Sequence, residues 1–149
     1  MKHLRSLLFA AVLLGPAVPA LAVDTEPAAT PELAPIRAKI DAKDFPGAIS
    51  DLNVLVSQGV QHPDVYNLLG YSLRKTGDIK NALTYYQKAL DFDPDHKGAL
   101  EYLGELFVET GQLDKAKENL AHLQKLCPGG CEELADLQEA IAKTQTRTN

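Results

Sequence analysis

The residues best suited to chemistry are the chain's two cysteines, Cys127 and Cys131, which bracket Pro128, Gly129 and Gly130. Thiols at this spacing can form a disulfide, act as a labile redox pair, or contribute to a metal site. Haem attachment requires two intervening residues and a following histidine, whereas here three residues intervene and Glu132 follows. A thioredoxin-like pair also requires two, within an alternating strand and helix pattern that this chain lacks. Zinc requires further ligands, and the nearest histidine, His122, supplies one. In an exported chain two nearby cysteines favour a structural disulfide, which here would set the angle at which the next segment enters; redox or metal chemistry at the pair is the alternative.

Other chemistry-bearing residues form no catalytic constellation. His3, His62, His96 and His122 are scattered, and His62 and His96 fall at equivalent turns, where they read as solvated turn residues. The adjacent carboxylates Glu132 and Glu133 read as the acidic first turn of a helix. No glycine-rich phosphate loop, nucleophile elbow or His-Glu-x-x-His motif occurs in the sequence. The expectation is a non-enzyme with no catalytic residue, no resident metal and no cofactor.

The elements that carry these residues begin with a processing segment. Lys2, His3 and Arg5 make a basic start, residues 7–14 an apolar run, and Ala20, Leu21 and Ala22 a small-x-small cleavage signal. Residues 1–22 are therefore read as a signal peptide. The apolar run is interrupted by Gly15, Pro16 and Pro19, so it is too short for an anchor and no membrane insertion is expected after cleavage. The product is expected in the periplasm or secreted. Its formal net charge of −5 becomes more negative once Lys2 and Arg5 are removed, which argues against nucleic acid as a partner. Residues 23–35 contain Pro27, Pro31 and Pro35 among Ala, Thr and Glu, and read as a flexible linker.

The remaining sequence is organised by a repeat. Tyr66, Leu69, Gly70, Leu73, Gly77, Ala82, Tyr86, Ala89 and Pro94 recur 34 residues later as Leu100, Leu103, Gly104, Phe107, Gly111, Ala116, Leu120, Leu123 and Pro128. Within each unit the apolar spacing is helical, and Gly77 or Gly111 breaks the unit into a hairpin of two helices. Asp78 is placed to cap the second helix, which spans 79–92, and Pro94 stops it. A glycine inside a helix costs about 1 kcal/mol relative to alanine, so Gly70 and Gly104 point to close helix contacts. Residues 36–62 are a degenerate copy in which Lys43 replaces the turn glycine and Asp44 caps the helix carrying Phe45, Ala48, Ile49, Leu52 and Leu55. Residues 132–144 place Leu134, Leu137 and Ile141 on one stripe, as expected of a helix covering the last hairpin.

This pattern resembles the tetratricopeptide repeat (TPR). The resemblance implies an all-α fold, a right-handed α-α superhelix of stacked hairpins over residues 36–145: a degenerate repeat at 36–62, repeats at 63–96 and 97–130, and a capping helix at 131–145. It also implies a concave groove that binds a protein or peptide partner, lined by first-helix residues Asn67, Tyr71, Arg74 and Lys75 and, one repeat on, Glu101, Glu105, Val108 and Glu109. Chaperone-binding relatives grip a C-terminal carboxylate with basic and amide residues, but here the second helix presents three carboxylates. A segment of mixed charge, or a basic one with an apolar residue against Tyr71 and Val108, fits better. The simpler alternative is that Arg74 and Lys75 pair with Glu105 and Glu109 across the repeat boundary. At the level of function, the alternatives to a binding scaffold are assembly through the array's ends and a thiol-dependent role at Cys127 and Cys131.

Overall fold

Gly77 and Gly111 of the repeat become helix-ending turns in the structure, a computed structural model that describes residues 31–147. The expected signal peptide and most of the expected linker lie outside the described residues. Seven helices follow in order: α1 (Ala34–Asp41), α2 (Phe45–Ser57), α3 (Pro63–Lys75), α4 (Ile79–Phe92), α5 (Lys97–Glu109), α6 (Leu113–Leu126) and α7 (Glu132–Arg147). No strand occurs among the described residues. The fold is an all-α repeat array in which α1/α2, α3/α4 and α5/α6 are hairpins and α7 covers both α5 and α6.

One turn geometry closes all three hairpins. Gly77 and Gly111 take φ of 89° and 75°, and the next amides, of Asp78 and Gln112, donate back to the carbonyls of Leu73 and Phe107 at 2.9 and 2.7 Å. This satisfies carbonyls that the helix end leaves open. Lys43 adopts the same left-handed conformation at φ 59°, with the Asp44 amide donating to the Lys39 carbonyl at 2.8 Å. The degenerate copy thus keeps the turn without the residue that makes it least strained. Asp44 and Asp78 cap α2 and α4 by accepting from the Gly47 and Asn81 amides at 3.0 and 3.2 Å.

Packing begins earlier than composition implies. Leu33 lies in the stretch read as linker, yet it is buried with Ile36, Ala48, Leu52, Val65 and Leu69, and α1 starts at Ala34 with Pro35 in its first turn. Proline there forfeits no helical hydrogen bond, so it reads equally well as linker or helix start.

The core runs from this cluster into a second one formed by Tyr86, Leu103, Leu106, Phe107, Leu123, Leu137 and Ile141 with their neighbours. A methyl group on Gly70 would stand 2.7 Å from Cδ1 of the Tyr86 ring, and one on Gly104 would stand 2.6 Å from Cδ2 of Leu137. The first glycine therefore admits α4 and the second admits α7. Leu134, Leu137 and Ile141 are buried, as expected of a covering helix. Cys127 and Cys131 are disulfide-bonded, with Cα atoms 5.8 Å apart, across the turn that leads into α7.

Candidate functional site: an acidic groove on the first helices

The first helices of the hairpins, with α7, line a groove, and the eight residues expected to line it fall into three groups. Arg74 belongs to the first. Its guanidinium donates through Nε and Nη2 to both carboxylate oxygens of Glu109 at 3.0 and 2.6 Å, and through Nη1 to Glu105 at 2.7 Å. Its side chain is only 7% exposed. Burial alone would lower the Arg74 pKa, but the hydrogen bonds to Glu109 and Glu105 more than offset this and raise it. The same contact holds the Glu109 carboxyl below its ordinary value, against the opposing effect of burial. These three residues clamp α3 to α5. Val108, half-buried, packs against the core beside them.

The second group is aromatic. Tyr71 is half-buried rather than exposed, with its ring centroid 6.2 Å from Phe45 and 4.9 Å from Tyr102. Lys75 does not join the Glu105 and Glu109 pairing; its ammonium stands over the Tyr71 ring at 5.1 Å from the centroid. Burial, then the charges around it, pushes the Tyr102 hydroxyl up to about 12. Beside these rings lies a cavity of about 240 Å³ lined by Arg37, Ile40, Asp41, Leu68, Tyr71 and Tyr102.

Asn67 and Glu101 form the third group. They line a cavity of about 500 Å³ that also takes in Leu68, Tyr102 and the α7 residues Glu133 and Asp136. Asn67 is 5% exposed and Glu101 6% exposed. The Asn67 Oδ1 atom is buried and accepts no hydrogen bond. The Glu101 carboxyl is pushed up to about 8, first by burial and then by the charges of Glu105, Asp136, Glu133 and Glu132. Basic residues do reach the rim: Arg37 is committed to Asp64 at 3.1 Å, whereas Lys97 pairs with none of the cavity's carboxylates.

His62 and His96 are structural rather than freely solvated. Each accepts a helix N-terminal amide through Nδ1, from Asp64 at 3.3 Å and from Ala99 at 3.0 Å. Because the His96 Nδ1 is an acceptor, its Nε2 carries the proton and donates to Asp64 at 2.8 Å, tying the start of α5 to α3. That bond first, with the Arg37 charge acting in the same direction, lowers the Asp64 pKa against the opposing effect of burial. His122 turns its Nε2 to Asp95 at 2.8 Å. Among the described residues no three His, Cys, Asp or Glu side chains converge as a metal site.

Sequence reasoning missed Leu68, Tyr102, Glu133 and Asp136. For Glu133 and Asp136 the signal was available in the register: α7 occupies the place of a next first helix, so its early residues line the same cavity as Asn67 and Glu101.

Comparison with known proteins follows the same lines. Two tetratricopeptide-repeat profiles match residues 63–96 and 85–118. The chain is 31% identical over 78 residues to Protein CTR9 homolog of Arabidopsis thaliana, covering 52% of this chain and 7% of that protein. It is 34% identical over 62 residues to BBSome complex member BBS4 of Bos taurus, covering 42% of this chain and 12% of that protein. The match therefore spans a small part of either relative. Among solved structures, the type III secretion translocator chaperone SycD of Yersinia enterocolitica superposes with a TM-score of 0.64 at 16% identity, covering 74% of this chain and 88% of that one. At that identity the likeness is one of fold.

Proposed function

Starting from a chain that carries tetratricopeptide repeats, a protein-interaction scaffold, we propose that it holds a peptide or protein partner in the groove of α1, α3, α5 and α7, as an exported periplasmic or secreted component. The observation that carries this reading is the Asn67 and Glu101 cavity. Nearly buried polar groups without partners are costly to leave unsatisfied, and a binding face is where such a cost is recovered. The aromatic cavity beside it supplies apolar contact of the kind that interfaces enrich. Export rests on the leader pattern of residues 1–22. Among the described residues no helix is long and apolar enough to cross a membrane.

The groove reading is tested by capturing the partner from envelope extract and mapping amide hydrogen exchange with and without it. Protection on α3 and α5 at Asn67, Tyr71, Glu101 and Tyr102 is expected. Protection confined to α2, α4 and α6 overturns the groove as the binding face. Mass spectrometry of the protein recovered from cells tests export, with Val23 expected as the first residue; an intact Met1 terminus in the cytosolic fraction overturns it.

A further inference from the structure

We infer that the cavity between α3, α5 and α7 is a socket for one basic side chain, best an arginine, of an extended protein segment lying along the groove, with Glu101 as its charge partner and Asn67 as a neutral acceptor. This rests on the groove reading above and names the chemistry the groove selects. Three observations converge on it. The cavity of about 500 Å³ is lined on its α5 and α7 walls by Glu101, Glu132, Glu133 and Asp136, none of which forms an ion pair among the described residues. Independently, Asn67 is 5% exposed and its Oδ1 has no hydrogen-bond donor, an acceptor left empty in the free protein. Finally, the neighbouring cavity of about 240 Å³, lined by Ile40, Leu68, Tyr71 and Tyr102 among others, shares Leu68, Tyr102 and Arg37 with the first, so a basic residue and an apolar neighbour can occupy both at once.

The chemistry favours an organic cation. A divalent metal would require three or more ligands already converging, and among the described residues no such group exists. A guanidinium brings five donors in a planar fork, enough to serve Glu101 and the Asn67 oxygen together, the proton that the free protein holds on Glu101 passing to solvent as the cation enters. Of the basic groups on the cavity wall, Arg37 and His96 are held by Asp64, and Lys97, exposed at the start of α5, pairs with none of these carboxylates.

The test uses the N-acetylated, C-amidated pentapeptide Ala-Leu-Arg-Leu-Ala and the same peptide with citrulline, the uncharged near-isostere, in place of arginine. Amide NMR titration of the full chain is expected to show shifts at Asn67, Glu101 and Asp136, with the arginine peptide binding at least about tenfold more tightly than the citrulline peptide. Glu101→Gln should abolish that preference, and Asp136→Asn on the exposed wall should reduce it. Glu118→Gln, which removes the same charge from α6, should leave it intact; equal loss there would reduce the effect to bulk attraction and overturn the socket. Equal affinity for the two peptides, shifts confined to α2, α4 and α6, or no binding of either peptide at millimolar concentration also overturns it. The groove itself would then still stand or fall on the hydrogen-exchange footprint of the captured partner, so the two failures are distinguishable.

Discussion

Arg74 on α3 and Glu109 on α5 meet through two parallel hydrogen bonds of 3.0 and 2.6 Å, so a pair that lies on the expected binding face is occupied in holding successive repeats together. Arg74 is nearly buried while Glu109 is half exposed. The pair therefore sits between the exposed regime, where ion pairs contribute little, and the buried one, where losing a partner is severe.

Arg74→Ala leaves the Glu105 and Glu109 carboxylates facing each other without their cation, and is expected to destabilise the fold by about 1–3 kcal/mol in urea unfolding. Arg74→Lys should recover only part of this, because an ammonium cannot reproduce the paired geometry. The Glu109 pKa is depressed on folding, so its contribution is present above its ordinary value of 4.5 and is lost as pH falls through the folded value. Wild type and Arg74→Ala should therefore converge in stability under acid.

The helix-interior glycines should resist substitution in spite of helix propensity. Gly70→Leu drives a side chain into the Tyr86 ring, and Gly104→Leu drives one into Leu137, each expected to cost about 1–3 kcal/mol. The two differ in location: Gly104→Leu should lower hydrogen-exchange protection along α7, whereas Gly70→Leu should loosen the α3/α4 hairpin. Unchanged melting temperatures in both variants would contradict the close contacts.

Reduction of the Cys127–Cys131 disulfide opens a loop of only a few residues, for which chain entropy accounts for about 2 kcal/mol. The effect should be local, because the bond lies between α6 and α7 rather than inside a hairpin. Thiol titration of the unfolded protein without reductant is expected to find no free thiol. After reduction, amides of α7 should exchange faster while those of α3 and α4 keep their protection.

Glu101 should make stability fall toward alkaline pH. Its carboxyl is raised from 4.5 to about 8 in the folded state, so between these values the folded chain holds a proton that the unfolded chain has released. Stability from this group is complete below about 4.5 and is lost as pH rises toward 8. The groups facing it include Asp64 on α3, His96, Lys97 and Glu105 at α5, and Glu132, Glu133 and Asp136 on α7. Comparing wild type with Glu101→Gln isolates its share: the variant should be more stable by roughly 1–3 kcal/mol at about pH 9 and nearly equal at about pH 5. Parallel stability curves would show that the carboxylate is comfortably solvated where it lies.

Much of the architecture was legible because it is written in short-range periods. The 34-residue register, the turn glycines Gly77 and Gly111, the caps Asp44 and Asp78, and the Leu134, Leu137 and Ile141 stripe each follow from local rules of helix geometry and capping, and the all-α array carries them as expected. The groove's use of its residues was not legible in this way. Whether Arg74 faces solvent or Glu109, 35 residues on, depends on the stagger between α3 and α5, which no single helix specifies. The same stagger half-buries Tyr71 against Tyr102 and brings the His96 ring to Asp64. Glu101 reads as an exposed groove carboxylate in sequence, but α7, entering from the Cys127–Cys131 turn, places Glu133 and Asp136 around the same cavity. The sequence determined which residues repeat and which helix faces are apolar; the tertiary structure alone decided which charges find partners, because pairing is set by distances between helices that the chain brings together only after each has formed.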